Sequence, residues 1–350
     1  MKFSRIIIFC FSAVLFAGCK GDSEEVPRDD FDKAAMLTNM AEEVVQVSYS
    51  EWKSKVELLK QKASEFETTP SESALTTMQD AFLEAFKSWT YCSVFEFGPA
   101  AEKSLRLKVN IFPIDTAQIE VNVLAGDVAF GNAQNAESVG FAALDYLLFE
   151  NEEELISSTP RQAYVVANIE WIRELSEEVS ADWNSYQSDF ISNTSSGAGS
   201  PLSNLVNEIN YEFELLKNAR IGIPLGKKTL GVTQVHKLEG FYSEHSAELS
   251  LSNVSGIKNA FTGGTGLGLD DYLNDLDARK NGELLSAQIK DLLDELESDL
   301  ESVNLKYAIE NEPSTLDPMY NRIEQLVVLL KVDMTSQLGV QITYQDNDGD

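Results

Sequence analysis

The 350-residue chain carries 57 Asp and Glu against 27 Lys and Arg, a formal net charge of -30. A surface this acidic repels nucleic acid and anionic headgroups at long range, and no basic amphipathic helix or RNA-binding aromatic signature offsets it; nucleic acid is excluded as a partner. With 43% apolar residues the chain has ample material for two domains with ordinary hydrophobic cores.

Lys2 and Arg5 precede an apolar run from Ile6 to Phe16, which Ala17-Gly18-Cys19 closes. This order of charge, short apolar run and small residues is a secretory signal of lipoprotein type, although Phe16 replaces the usual leucine three places before the cysteine. Residues 1–18 are therefore read as a signal peptide, Cys19 as the lipidated residue and 19–28 as a polar tether. The run is too short to span a bilayer, and no later segment reaches about eighteen apolar residues. The expected location is the outer membrane, held by acyl chains, on its periplasmic or its outer face. Cys10 leaves with the signal and Cys19 is acylated, so Cys92 has no intramolecular partner and no disulfide staples the fold.

From residue 29 the apolar period is helical. Asp30 is placed to cap a long helix through Met36, Met40, Val44, Val47, Trp52, Val56, Leu59 and Phe66, which Thr69-Pro70 ends. Ser71 opens a second helix with Leu75, Met78, Phe82, Phe86 and Trp89 on one face, and Gly98-Pro99 breaks the chain after it. Asp115 and Gln118 have capping-box spacing. In the segment Val139 to Glu150, V-G-F-A-A-L-D-Y-L-L-F-E, Ser138 can cap a helix whose buried stripe is Phe141, Leu144, Leu147 and Leu148. Asp145 is then a carboxylate on an otherwise apolar helix, and it needs a hydrogen-bond donor, a cation or water. Thr159-Pro160 opens another long helix. Residues 193–200, rich in Ser, Gly and Asn, read as a linker between an N-terminal bundle, 29–192, and a C-terminal bundle, 201–345. In the second half, helices are expected near 202–217, 237–251, 282–303 and 318–338. Only Val340, Ile342 and Tyr344 alternate as a strand would, and 346–350 form an acidic tail. The fold class is all-α: two helical bundles packed together.

Catalytic patterns are sparse. A zinc protease draws two histidines from H-E-x-x-H, and the chain has only His236 and His245. Each begins an H-x-x-E, with Glu239 and Glu248. On one helix, nine residues would turn the two pairs about 180° apart, so they could not share an ion. Surface ion pairing is the favoured account of both, and a relocated metal site is its rival. The glycine-rich run Thr262 to Leu269 lacks G-K-[ST] and reads as a helix connection. Asp346-Asn347-Asp348-Gly349-Asp350 begins like a calcium loop without a twelfth-position acid and is taken as a frayed tail.

The residues Gly140, Phe141, Leu144, Leu147, Leu148 and Phe149 resemble the signature of the imelysin-like family, in which a glycine is followed by x-His-x-x-Glu and an apolar run. Ala142 stands at the histidine position and Asp145 at the glutamate position. Phe97-Gly98-Pro99-Ala100, N-I-F-P-I-D from Asn110 to Asp115, R-I-G-I-P from Arg220 to Pro224, L-E-G-F-Y-S with Glu239, Tyr242 and Ser243, Gly266 to Leu273 and the ending Gln341 to Asp350 resemble other recurrent family segments, in the family's order. The resemblance points to the Bacteroidetes lipoprotein branch. It implies two helical domains related by duplication, a site where they meet, a link to bacterial iron uptake and a peptidase label. Ala142 supplies no ligand atom, and Asp145 alone can contribute to a hard-cation site without holding zinc or iron tightly.

The expected function is accordingly a lipid-anchored, non-enzymatic binding component of an envelope uptake system for iron or a metal-bearing ligand. No catalytic residue is assigned. The expected binding positions are Gly140, Ala142, Asp145, Asp115, Arg220, Glu239, Tyr242 and Ser243, with Asp145 the one metal candidate. No cofactor is identified beyond a weakly held iron or other divalent cation. The expected partners are outer-membrane uptake components or a small metal-bearing ligand. An envelope metallopeptidase and a partner-docking protein without small-ligand chemistry are the alternatives.

Overall fold

The computed structural model describes residues 31–126 and 128–344, and it is helical almost throughout. The signal peptide, Cys19, the tether and the acidic tail all lie outside the described residues. In the first half the main helices are α1 (Gln46–Thr68), α2 (Glu72–Cys92), α3 (Thr116–Ala125), α4 (Gly140–Phe149) and α5 (Thr159–Ser192). In the second they are α6 (Pro201–Leu215), α7 (Ser246–Thr262), α8 (Leu285–Glu301) and α9 (Asp317–Val328). No helix among the described residues is long and apolar enough to cross a membrane.

Helix starts follow local chemistry, with one difference from expectation. Asp32 caps the helix Lys33–Asn39, accepting from the Ala35 N–H at 2.9 Å, while Asp30 lies outside the described residues; a π-helical turn, Met40–Val45, carries that helix into α1, where Val47 of the expected stripe is 52% exposed. Ser71 and Ser200 cap α2 and α6 as their positions suggest. Ser138 does not cap α4; its hydroxyl accepts from Asn122 Nδ2 at 2.9 Å and donates to the Asn135 carbonyl. The predicted stripe of α2, Leu75, Met78, Phe82, Phe86 and Trp89, is buried to the last residue. So is that of α4.

α1, α2 and α5 form the first bundle and α6 to α9 pack in the second half, and the buried apolar residues of both join in one continuous core. The Trp52 and Trp89 rings, tilted by 49°, lie 5.0 Å apart between α1 and α2, and Trp183 of α5 is buried in the same half. The halves meet where α2 lies on α7, so closely that a Cβ at Gly256 would stand 1.9 Å from the Tyr91 carbonyl oxygen. Only glycine admits that crossing.

The helix expected over 237–251 forms only from Ser246 onward. Val235–Lys237 is a single 3-10 turn, 238–245 are turns and irregular chain, and α7 begins at Ser246. The C-terminal alternation does not make a strand either: Asn207 takes the place of a partner strand, donating to the Gln341 carbonyl and accepting from the Thr343 N–H. The strands that do occur are a two-residue hairpin, Arg279–Lys280 with Glu283–Leu284, turned by Asn281-Gly282.

Candidate functional site

Three pieces of chain line one cleft, α4 and the segment 110–116 from the first half and the loop 235–245 from the second, and the π-helical turn Leu216–Gly222 backs it through Arg220. Gly140 fixes the first pair. Its φ is +84°, and an added Cβ would lie 2.1 Å from the Val109 carbonyl oxygen, so α4 starts directly against the backbone of Val109 and Asn110. The buried Asn168 of α5 accepts from the Gly140 N–H at 2.9 Å and holds that start in place.

Asp145, five residues on, is 2% exposed. Its Oδ2 accepts from the Tyr242 N–H at 2.9 Å and its Oδ1 from the Ser243 N–H at 3.1 Å. The carboxylate of one half thus clasps the loop of the other. Burial pushes its pKa up to about 6, while the Ser243 hydroxyl, the two amides and nearby His245 pull it back. Tyr242 packs edge-on against Tyr146 of α4, with centroids 5.1 Å apart, beside the clasp.

Glu239 is equally committed. Arg220 Nε donates to its Oε2 at 2.7 Å and Asn110 Nδ2 to its Oε1 at 2.5 Å. Arg220 also pairs with Glu212 at 2.9 Å and lies over the Phe112 ring. Glu212, wholly buried, then meets Arg106 at 3.1 Å, and Arg106 meets Glu208 at 3.0 Å. Burial alone would raise Glu212, but Arg220 and Arg106, with hydrogen bonds from Ser93 and Asn253, hold its carboxyl below the ordinary range. At the far end Glu96 accepts the Arg106 N–H on both oxygens, and burial pushes its pKa up to about 7. The alternating row Glu239, Arg220, Glu212, Arg106, Glu208 runs from the cleft through the contact between the halves.

The cleft holds about 190 Å³ and is lined by Phe112, Ala142, Asp145, His236, Glu239 and Tyr242, among others. Of the residues expected at the site, Ala142, Asp145, Glu239 and Tyr242 line it. Gly140, Arg220 and Ser243 support it from behind. Asp115 does not reach it: its carboxylate caps α3 by accepting the Gln118 N–H at 3.0 Å.

His236 joins Glu239 on the cleft wall, whereas His245 ends the loop, its Nδ1 2.6 Å from the Ser243 carbonyl and its Nε2 3.8 Å from Glu248. The two H-x-x-E pairs are separated by the irregular loop rather than by half a turn of one helix. Among the described residues no group of three or more His, Cys, Asp or Glu is arranged to hold a metal ion. Asn110, Glu212 and Arg106 were not expected here. Their one sequence signal is Glu208 and Glu212, spaced four apart beside the apolar Leu205 and Ile209 of α6.

Two packed helical bundles with a small cleft where the halves clasp define the class of fold, all-α, and the comparisons give the family within it. The family model for imelysin, the peptidase M75 family, matches residues 45–326, and the chain belongs to that family. An imelysin-like protein from Psychrobacter arcticum 273-4 shares the fold with a TM-score of 0.74 at 17% identity, over 89% of this chain and 97% of that one. A protein of Parabacteroides distasonis ATCC 8503, described as an iron-regulated protein A precursor, gives 0.71 at 16% identity, over 87% and 95%. A search of curated proteins found no match.

Proposed function

We propose that this imelysin-family protein binds rather than cleaves: a lipid-anchored envelope component that receives iron, or a small metal-bearing ligand, in the cleft beside Ala142 and hands it to an outer-membrane uptake partner. One observation carries the binding half of this reading. The cleft's carboxylates are spent on the protein itself, Asp145 on two backbone amides and Glu239 on Arg220 and Asn110. A hydrolytic metal needs about three protein ligands and an open position for water. A mixed wall, with Phe112, Ile114, Leu238 and Phe241 beside carboxylates already committed, suits a ligand whose metal already has its own donors. The iron half rests on family membership and on the description of the Parabacteroides protein.

Isothermal titration with Fe(II), Fe(III) and haem tests it. Binding of at least one species, weakened in Asp145→Ala, is expected. Heat from none of the three, or binding equal in the variant, contradicts the proposal. One observation favours the peptidase reading: His236 and Glu239 share the cleft wall. Proteolysis abolished by a chelator and lost in His236→Ala would replace binding with catalysis.

A further inference from the structure

A second hollow lies away from the cleft, where the π-helical turn Met40–Val45 and α1 meet α2 and α7. It holds about 390 Å³, within the range of about 300–1000 Å³ usual for small-molecule pockets. Both halves build it: Gly256 lets α7 drop onto the Tyr91 backbone, and Ser252, one turn earlier, donates to the Lys87 carbonyl of α2 at 2.7 Å. The apolar period places Val47 in the buried stripe of α1. Beyond the π turn that stripe runs instead through Val45, Ser48 and Tyr49, and Val47 is left on the wall of the hollow with buried Val44 behind it. Burying a serine where a valine was available gives up apolar burial, and π turns recur at functional sites.

Hydrogen-bond roles on the walls are fixed. Ser48 donates to the Val44 carbonyl at 2.7 Å and Ser88 to the Ala85 carbonyl at 2.9 Å, as Ser252 does to that of Lys87. A carbonyl can only accept, so each hydroxyl proton is committed and each hydroxyl oxygen can only accept from a further partner. Charge has the same sense. Glu43, Glu51 and Glu84 line the hollow with Lys55 and Lys87, three carboxylates to two ammoniums. Lys55 is shared, 3.5 Å from both Glu51 and Glu84, and Lys87 is divided between Glu84 and, at 3.9 Å, Glu248. No ion pair among the described residues includes Glu43.

We propose that this hollow is a binding site for a small organic cation, a primary ammonium on a compact apolar body. An ammonium has three donors and no acceptor, the complement of walls whose hydroxyls can only accept, and its charge answers that of Glu43. The apolar body lies on Val44 and Val47. A dication exceeds the single unbalanced charge, and an anion meets Glu43, Glu51 and Glu84. No residue lines both this hollow and the cleft, so the site does not depend on what the cleft binds.

Ligand-observed NMR of the full chain at neutral pH, with cyclohexylamine, cyclohexanol and cyclohexanecarboxylate, separates charge from shape because the ring is common to all three. Saturation transfer should be strong for the amine, weaker for the alcohol and absent for the carboxylate. Glu43→Gln removes only the unpaired charge and should weaken amine binding by about threefold, the scale of an exposed ion pair. Val47→Lys puts the chain's own ammonium in the hollow and should weaken it by at least about tenfold. Both side chains are exposed, so the urea midpoint should hold in each variant. Ala142→Leu in the cleft should leave amine binding unchanged, which keeps this test apart from that of the iron ligand. No transfer to the amine, transfer as strong to the alcohol or the carboxylate, or amine affinity equal to wild type in both Glu43→Gln and Val47→Lys would overturn the proposal.

Discussion

Arg220 and Glu239 are 4% and 2% exposed at their side chains, and removing one charge of a buried pair costs about 3–5 kcal/mol. Arg220→Met strips Glu239 of its cation, leaving only Asn110, and takes one of two guanidiniums from Glu212. It should fall at the upper end, about 5 kcal/mol. Glu239→Gln still accepts from Arg220, which keeps Glu212, so about 3 kcal/mol is expected. In the double variant no uncompensated charge remains at position 239. Its loss should fall short of the additive sum by at least about 2 kcal/mol. Urea denaturation of the four proteins, with midpoints and slopes compared, closes the cycle. Additivity within about 0.5 kcal/mol would mean that the pair does not act as one buried unit, and the account of the charge row would fail.

Three further outcomes follow from the same geometry. Gly140→Ala forces a β carbon into the Val109 carbonyl at a φ of +84°, and should cost more than about 3 kcal/mol in urea; a loss below about 1 kcal/mol would show that α4 can shift without harm. Asp145 titrates near 6 in the folded protein against 3.8 as its reference, so its contribution favours folding below about pH 4 and is lost as pH rises through 6. That loss is worth about 3 kcal/mol by neutral pH, and in Asp145→Asn this part of the stability profile should flatten; parallel curves for the two proteins between pH 4 and 8 would refute the buried-carboxyl reading. Leu230→Asp, in the exposed turn after Gly226, should leave the stability to urea within about 0.5 kcal/mol of wild type, because that side chain buries nothing; a larger loss would show that Leu230 packs against the fold.

The sequence showed what local period and local caps determine. The stripes of α2 and α4 read directly as burial, and Asp145 stood out as an acid on an apolar face. The loop 238–245 read as helix because Leu238, Phe241, Tyr242 and His245 have helical spacing. Tertiary contact overrides that period: Asp145 needs the Tyr242 and Ser243 amides free of any helix, and Gly240 at φ +68° turns the chain to present them. The charge row was not legible because its members lie far apart. Arg106 and Glu212 come from opposite halves, and nothing local marks Arg106 as buried. Asp115 was assigned to the site by its place in a recurrent segment, yet a cap three residues before Gln118 N–H explains it fully.

Filling the cleft tests the central claim more directly than removing Asp145, which would also release the clasp on Tyr242 and Ser243. Ala142→Leu adds three carbons on the wall of a space of about 190 Å³, one helical turn before Asp145, and removes no atom of Asp145 or of the Arg220 pair. Titrated with the iron species that wild type binds, this variant should lose affinity at least tenfold, about 1.4 kcal/mol, while urea denaturation shows a cooperative fold destabilised by no more than about 1–3 kcal/mol. Unchanged affinity in a folded Ala142→Leu protein would place the ligand elsewhere and contradict the account.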